Sequence, residues 1–238
     1  MRVFIVHAHH EPKSFNGALT RHAQSVLAGH GHEVTVSDLY AMGFNPVSGR
    51  HNFATVADPQ CLKQQSEELY ASEHDGFAPD IQAEMAKLDW CDVLVLQFPL
   101  WWFGLPAILK GWVDRVLAMG RIYGGGMWYD RGYFSGRRAM LSLTTGGPAS
   151  IYGKDGLNGD IDMLLFPIQH GILRFTGFDV LAPFVAWAPA RISLAQRETY
   201  LRDYGERLLR IPELEPLQYP PLSDYDPVTF RRLGATGE

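Results

Sequence analysis

Three stretches of the chain gather side chains that could do chemistry. Ala8–Asn16 (AHHEPKSFN) brings His9, Lys13, Ser14, Phe15 and Asn16 to the start of an apolar-periodic segment. Unpaired N–H groups and the positive dipole end of a helix beginning there would favour an anion such as phosphate, with Ser14, Lys13 and His9 as helpers. Gln97–Gly104 (QFPLWWFG) sets Trp101, Trp102 and Phe103 behind Pro99 and Leu100, a wall suited to a flat, partly apolar ligand. Leu143–Asp160 (LTTGGPASIYGKDGLNGD) offers Thr144, Thr145, Tyr152, Lys154 and Asn158 as donors, among glycines that let backbone approach a ligand closely. Each stretch also has a plainer structural reading: an ordinary N-cap, an aromatic cover for a sheet edge or subunit contact, and a mobile surface loop.

The elements around these stretches decide between the two. Arg2–His7 reads as a first strand, and Phe15–Leu27 carries helical spacing with Ser14 as its N-cap. Glu33–Ser37 is a second strand, and Val93–Gln97 is a run of the kind a fully buried parallel strand needs, stopped by Pro99. Pro106 opens a helix over Ala107–Leu117, with Ile108, Leu109, Trp112, Val113 and Val116 at helical spacing. Ile81–Trp90 reads as a helix, Arg138–Thr145 as a fourth strand, Asp162–Phe175 as a helix, Asp179–Leu181 as a short fifth strand and Ser193–Leu209 as the last helix. Residues 40 to 80 read as an irregular connection, long enough to be functional or interfacial. Strands alternating with helices predict an α/β fold, a doubly wound five-stranded parallel sheet of order 2-1-3-4-5 with helices on both faces. All three stretches then leave carboxyl ends of strands, where such sheets bind ligands. One domain is expected over residues 1–211, with residues 212–238 as a proline-rich extended arm or tail.

Composition narrows the function. The net charge of −5 with no long basic run argues against nucleic acid as the main partner. Two cysteines cannot build a disulfide framework, which makes a reducing compartment the default. No segment approaches the roughly 18 apolar residues of a membrane span, and the amino end lacks a signal-peptide pattern. A cytoplasmic protein without membrane insertion is expected.

Several motifs fail on inspection. No G-x-G-x-x-G follows the first strand. Gly147–Lys154 (GPASIYGK) mimics a P-loop, yet five residues separate its glycines and Asp155 stands where magnesium would need Ser or Thr. His7 and His9 form an H-x-H at a strand end, as in zinc-dependent hydrolases, but the later strand ends supply no His or carboxylate ligand, so no metal is assigned. A G-x-S-x-G nucleophile elbow is absent.

Taken together, the three stretches resemble the flavodoxin-like NAD(P)H:quinone oxidoreductases, the DT-diaphorase family. Ser37–Pro46 (SDLYAMGFNP) and Phe166–Phe178 (FPIQHGILRFTGF) extend the resemblance, which runs from about residue 2 to residue 210. It implies FAD rather than FMN as cofactor, NADH or NADPH as hydride donor, a small quinone-like acceptor and a homodimer with active sites at the subunit boundary. His9, Ser14, Phe15 and Asn16 would hold the FAD pyrophosphate and ribityl region. Pro99, Leu100, Trp101, Trp102 and Phe103 would line the isoalloxazine. Thr144, Thr145, Gly146, Gly147 and Tyr152 would meet its polar edge, with Arg197 near the adenosine. Tyr152 and Asn158 take the catalytic positions, and Tyr123, Gly125, Phe175 and Phe178 the acceptor site.

Two departures stand out. The family pairs its tyrosine with a histidine where this chain has Asn158, which can donate a hydrogen bond yet cannot shuttle a proton near neutral pH. The family tends to carry a second tyrosine where this chain has Gly125, so a wider acceptor mouth is expected. On the same fold, an FMN-dependent azo- or nitroreductase remains open at this point. So does a flavin-binding regulatory subunit of a potassium-efflux system.

Overall fold

The β-branched and leucine-rich runs form the centre of the molecule. In the computed structural model, which describes residues 1–234, five strands make one parallel sheet: β1 (Arg2–His7), β2 (Glu33–Asp38), β3 (Val93–Pro99), β4 (Arg138–Thr144) and β5 (Asp179–Ala186). Their order is β2-β1-β3-β4-β5, the flavodoxin-like arrangement expected. Register follows from alternation, with Val3 opposite Val93 and Val93 opposite Arg138. Phe4, Val6, Leu94, Leu96 and Phe98 face one layer, which holds Ile81 and Leu88 of α3 (Pro79–Trp90) and Ile108, Trp112 and Val116 of α4 (Ala107–Val116). Val3, Ile5, Val93 and Val95 face the other, against Leu19 and Leu27 of α1 (Phe15–Gly29) and Leu208 of α6 (Leu194–Leu209). Each such side chain contributes about 1.5–3 kcal/mol by leaving water.

Capping fixes where the helices begin. Ser14 accepts the Gly17 N–H at the start of α1, and Ser193 with Gln196 forms a capping box at α6. In both helices the serine sits at the sheet's ligand-binding end.

The structure departs from the sequence reading in three places. Residues 40 to 80 contain a helix, α2 (Gln64–Glu73), whose inward face is Glu67, Glu68 and Ala71. A buried face made of two glutamates carries no apolar stripe, which is why periodicity missed it. Strand β5 continues five residues past Leu181, through Pro183, which an edge strand tolerates because its lost N–H need not join the ladder. The helix expected over residues 162–175 is α5 (Ile161–Ile168) followed by a wider π-helical stretch, Gln169–Arg174. Pro167 lies inside α5, where its missing N–H opens the ladder. Beyond Ile211 the chain runs extended but pinned: Leu217 N–H reaches Val180 O at 2.7 Å, and Leu222 N–H reaches Asp130 Oδ2 at 2.6 Å.

Candidate active site

The loops after β1, β3 and β4 surround a cavity of about 720 Å³. From β1–α1 it takes His9, Ser14, Phe15 and Asn16; from β3–α4, Pro99, Leu100, Trp101 and Trp102; after β4, Thr144, Thr145 and Gly146. Arg197 of α6 closes it, with Pro189 and Ala190, which the sequence had not singled out. Most of the residues assigned to cofactor binding therefore line one cavity, drawn from elements far apart in the chain.

A chain of buried amides underlies its floor. Gln97 Nε2 donates to Asn16 Oδ1 at 2.8 Å, and Asn16 Nδ2 donates to the Thr144 hydroxyl at 2.8 Å. With its oxygen already accepting, Thr144 has its own hydrogen free to give. Of the five buried side-chain atoms without a hydrogen-bond partner among the described residues, two belong to this site: Gln97 Oε1 in the floor and Arg197 Nε in the wall. An unpaired guanidinium N–H in a cavity wall is a donor open to an anionic or acceptor group.

His9 is neutral by environment. Burial first, and then the neighbouring His10, holds its pKa below the ordinary imidazole value. The Glu11 N–H donates to His9 Nδ1 at 3.0 Å, so the neutral ring carries its proton on Nε2. His7 lies in the core instead, its Nδ1 2.9 Å from Thr20 Oγ1, and burial lowers its pKa as well. His7 and His9 thus do not share a site. Among the described residues no group of three His, Cys, Asp or Glu side chains gathers for a metal.

The aromatic loop is a strained turn. Trp102 (φ 50°) and Phe103 (φ 58°) both adopt the left-handed conformation, closed by Gly104 N–H to Trp101 O at 3.0 Å. That conformation costs a non-glycine residue about 1–2 kcal/mol. The turn holds Trp102 98% exposed at the cavity edge, while Phe103 is half-exposed and lies outside the lining.

Gly147, Tyr152 and Asn158 also lie outside the lining. A Cβ at Gly147 would sit 2.3 Å from Ile151 Cδ1, so glycine there lets the loop fold on itself. Tyr152 is 7% exposed, its ring 5.4 Å from Trp187, and Asn158 N–H donates to Ile151 O at 2.8 Å beside it.

A second cavity, of about 570 Å³, holds Tyr123, Gly125 and Phe175. Trp128, Tyr129 and His170 complete its inner wall, and Pro220, Leu222, Tyr225 and Phe230 of the carboxyl-terminal segment its outer wall. The run Met127-Trp128-Tyr129 after three glycines was the available signal for this wall; the carboxyl-terminal residues gave none. Phe178 needs correction. It is 1% exposed and stacks on Phe134 at 4.3 Å, because Gly177 turns the chain into the core before β5, so it cannot touch an acceptor. The two cavities share no lining residue.

Comparison with known proteins agrees with this geometry. The family defined by the flavodoxin-like fold matches residues 1–208. Ribosyldihydronicotinamide dehydrogenase (quinone) of Rattus norvegicus is 42% identical over 221 residues, 92% of this chain and 96% of that protein. NAD(P)H dehydrogenase (quinone) 1 of the same organism is 42% identical over 226 residues, 94% of this chain and 82% of that protein. The crystal structure of a candidate quinone reductase from Klebsiella pneumoniae superimposes with a TM-score of 0.95 at 38% identity, covering 100% of this chain and 98% of that one. With the strand order, the cavity and these likenesses in agreement, the chain belongs to the flavodoxin-like family of quinone dehydrogenases.

Proposed function

We propose that this chain is a flavin-dependent NAD(P)H:quinone oxidoreductase that makes two-electron reductions of quinones or similar acceptors. The observation that carries the reading is the first cavity, in which the amino end of α1, an indole wall and an unpaired Arg197 Nε converge. Those features fit a flavin nucleotide. The first-turn N–H groups of α1, the Ser14 cap and the His9 Nε2–H suit its phosphates. Leu100, Trp101 and Trp102 suit its ring, and Arg197 gives the adenosine part of FAD a partner that FMN would leave unused.

Bound flavin supplies hydride chemistry, accepting from a reduced nicotinamide and giving to the quinone. The chain's part is positioning and electrostatics. The Thr144 hydroxyl, whose oxygen accepts from Asn16, and the Gly146 N–H line the cavity and would serve as donors to the ring's polar edge as negative charge develops there. Tyr152 and Asn158 are assigned to protonation: the Tyr152 phenol with water or a neighbouring group would supply the proton, while the Asn158 amide could donate a hydrogen bond but not a proton.

The donor is NADH or NADPH, or a ribosyldihydronicotinamide, since relatives of equal identity carry both names. The acceptor residues Tyr123, Gly125 and Phe175 lie in a cavity separate from the flavin cavity, which supports a homodimer in which a second copy brings the two together. The adjacent exposed side chains of Trp101, Trp102 and Phe103 support the same assembly, because contiguous apolar surface marks an interaction site. Residues 1–211 are assigned as the flavin-binding unit and the remainder as an arm. A cytoplasmic location is consistent with free cysteines at Cys61 and Cys91, and no helix among the described residues is long and apolar enough to cross a membrane. Azoreductases of known structure share the fold at 16% identity and carry no argument about activity.

Purified protein should show flavin absorption that bleaches with NADPH, NADH or ribosyldihydronicotinamide under anaerobic conditions and returns on adding a soluble quinone. Chromatography of the released cofactor should give FAD. Flavin-free protein that binds neither added FAD nor FMN would overturn the reading.

A further inference from the structure

The loop from Met119 to Met127, which carries Tyr123 and Gly125, is turned by two short bonds of its own, Gly120 N–H to Tyr123 O at 2.7 Å and Met127 N–H to Gly124 O at 3.0 Å, and is anchored in the core by the buried Ile122. Gly120, Gly124, Gly125 and Gly126 all take positive φ, at 80°, 116°, 60° and 91°. Glycine loses more freedom on ordering than any other residue, so an outside hold adds order that the glycines lack. Helix α2 supplies it. Glu68 Oε2 accepts the Met119 N–H at 2.7 Å, and the Ser72 hydroxyl shares its one hydrogen between Glu68 O at 2.8 Å and Met119 O at 3.1 Å. Both backbone groups of one residue are thus taken by a single turn of α2. One turn earlier, Gln65 Nε2 donates to the Tyr123 hydroxyl at 3.2 Å. The approach is close: a Cβ on Gly120 would stand 2.9 Å from Leu69 Cδ1 and 3.0 Å from Ser72 Oγ.

Glu68 is a costly residue for this place. It is 4% exposed, its other oxygen accepts only from Gln64 Nε2 at 2.7 Å, and no cation pairs with it among the described residues. Burial lifts its pKa above the ordinary carboxylate value. The desolvation penalty is offset by what its oxygens hold, and one of those groups is the loop.

We propose that Glu68 and Ser72 are positioning residues, a clamp on Met119 that sets the place of Tyr123 and the glycine triplet beside the second cavity and so the size of acceptor admitted. What the cavity admits rests on the quinone-reductase reading; the clamp itself does not.

The test compares holoprotein carrying Glu68→Leu, Glu68→Gln or Ser72→Ala with the parent by two measurements. One is amide hydrogen exchange over residues 119–127; the other is kcat and KM for a one-ring and a three-ring quinone at fixed donor. Glu68→Leu should speed exchange in the loop about tenfold, the effect of one lost buried hydrogen bond. Its discrimination between the two quinones should fall at least about fivefold through KM, with flavin content unchanged. Glu68→Gln keeps an oxygen for the Met119 N–H and should stay close to the parent in both. Ser72→Ala should loosen the loop in the same direction, and it stands in if Glu68→Leu does not fold. Parental exchange in Glu68→Leu and Ser72→Ala, or Glu68→Gln as impaired as Glu68→Leu, overturns the clamp. Faster exchange in a protein that reduces no quinone supports the clamp and overturns the quinone reading.

Discussion

Asn16 and Thr144, 128 residues apart in sequence, are joined by a 2.8 Å hydrogen bond beneath the first cavity, and Gln97 holds Asn16 in place from the neighbouring strand. The three side chains lie on β4, α1 and β3, so the bond fixes the relative height of all three site loops. Gln97→Leu removes the donor to Asn16 Oδ1 and leaves that oxygen buried and unpaired. Stability should drop by about 1–3 kcal/mol in urea titration, and flavin affinity should weaken about tenfold by fluorescence titration. Unchanged flavin affinity in a stable variant would mean that the floor does not position the cofactor.

The left-handed backbone of Trp102 sets stability against binding. Trp102→Gly relieves a strained φ of 50° and removes an exposed indole, so the apoprotein should gain about 1 kcal/mol on chemical denaturation. Flavin affinity should fall in the same variant. A variant that gains stability and binds flavin as before would remove Trp102 from the site.

Phe175 and Phe178 should part company. Phe178→Ala empties a core position stacked on Phe134 and should cost about 3–5 kcal/mol of stability. Acceptor KM should hardly move at temperatures where the variant is folded. Phe175→Ala should do the reverse, raising acceptor KM with a smaller loss in Tm.

Asn158→His tests the protonation assignment. An imidazole titrating near pH 6.5 beside Tyr152 should give the rate of quinone reduction a pH dependence between about pH 6 and 7 that the parent lacks. Matching pH–rate profiles for parent and variant would take Asn158 out of the chemistry.

Acid should weaken the fold through its histidines. His7 is held below its ordinary value of 6.5 by burial, so as pH falls the unfolded chain protonates there before the folded one does. The stability His7 contributes is therefore present above about pH 6.5 and is lost as pH falls toward its folded pKa. His9 and His170 shift in the same direction. Glu68, raised by burial, runs the other way: the folded state takes its proton first, which relieves the buried charge at low pH. Calorimetry should show Tm declining from pH 7 to 5.5, with a shallower decline in His7→Gln. Parallel slopes would place the effect on other groups.

Elements buried on two faces could be read from residue type alone. Val93–Leu96 and Ala139–Leu141 are continuous apolar runs because helices cover both sides of the sheet, and loops at the carboxyl ends of these strands became candidate site segments for that reason. Helix α2 escaped because the face it buries is Glu67, Glu68 and Ala71. Glu67 in particular spends its carboxylate on the Ala57 and Asp58 N–H groups, which also draw its pKa down. A side chain that serves local backbone looks like surface in a sequence. Gln97 looked like the tail of a strand, and only contact across three elements shows it under the site. The second cavity was the least legible, since Leu222, Tyr225 and Phe230 reach it by tertiary path rather than by any period.

Leu222 is tied to Asp130, and Asp130 is in turn paired with Arg174, so the outer wall of the second cavity hangs from one carboxylate as well as from β5, which holds Leu217 just before it. The hydride-handling floor and the acceptor-facing wall therefore answer to different parts of the chain. Pro220, Leu222, Tyr225 and Phe230 thus shape the second cavity, while β1, β3 and β4 carry the loops of the first.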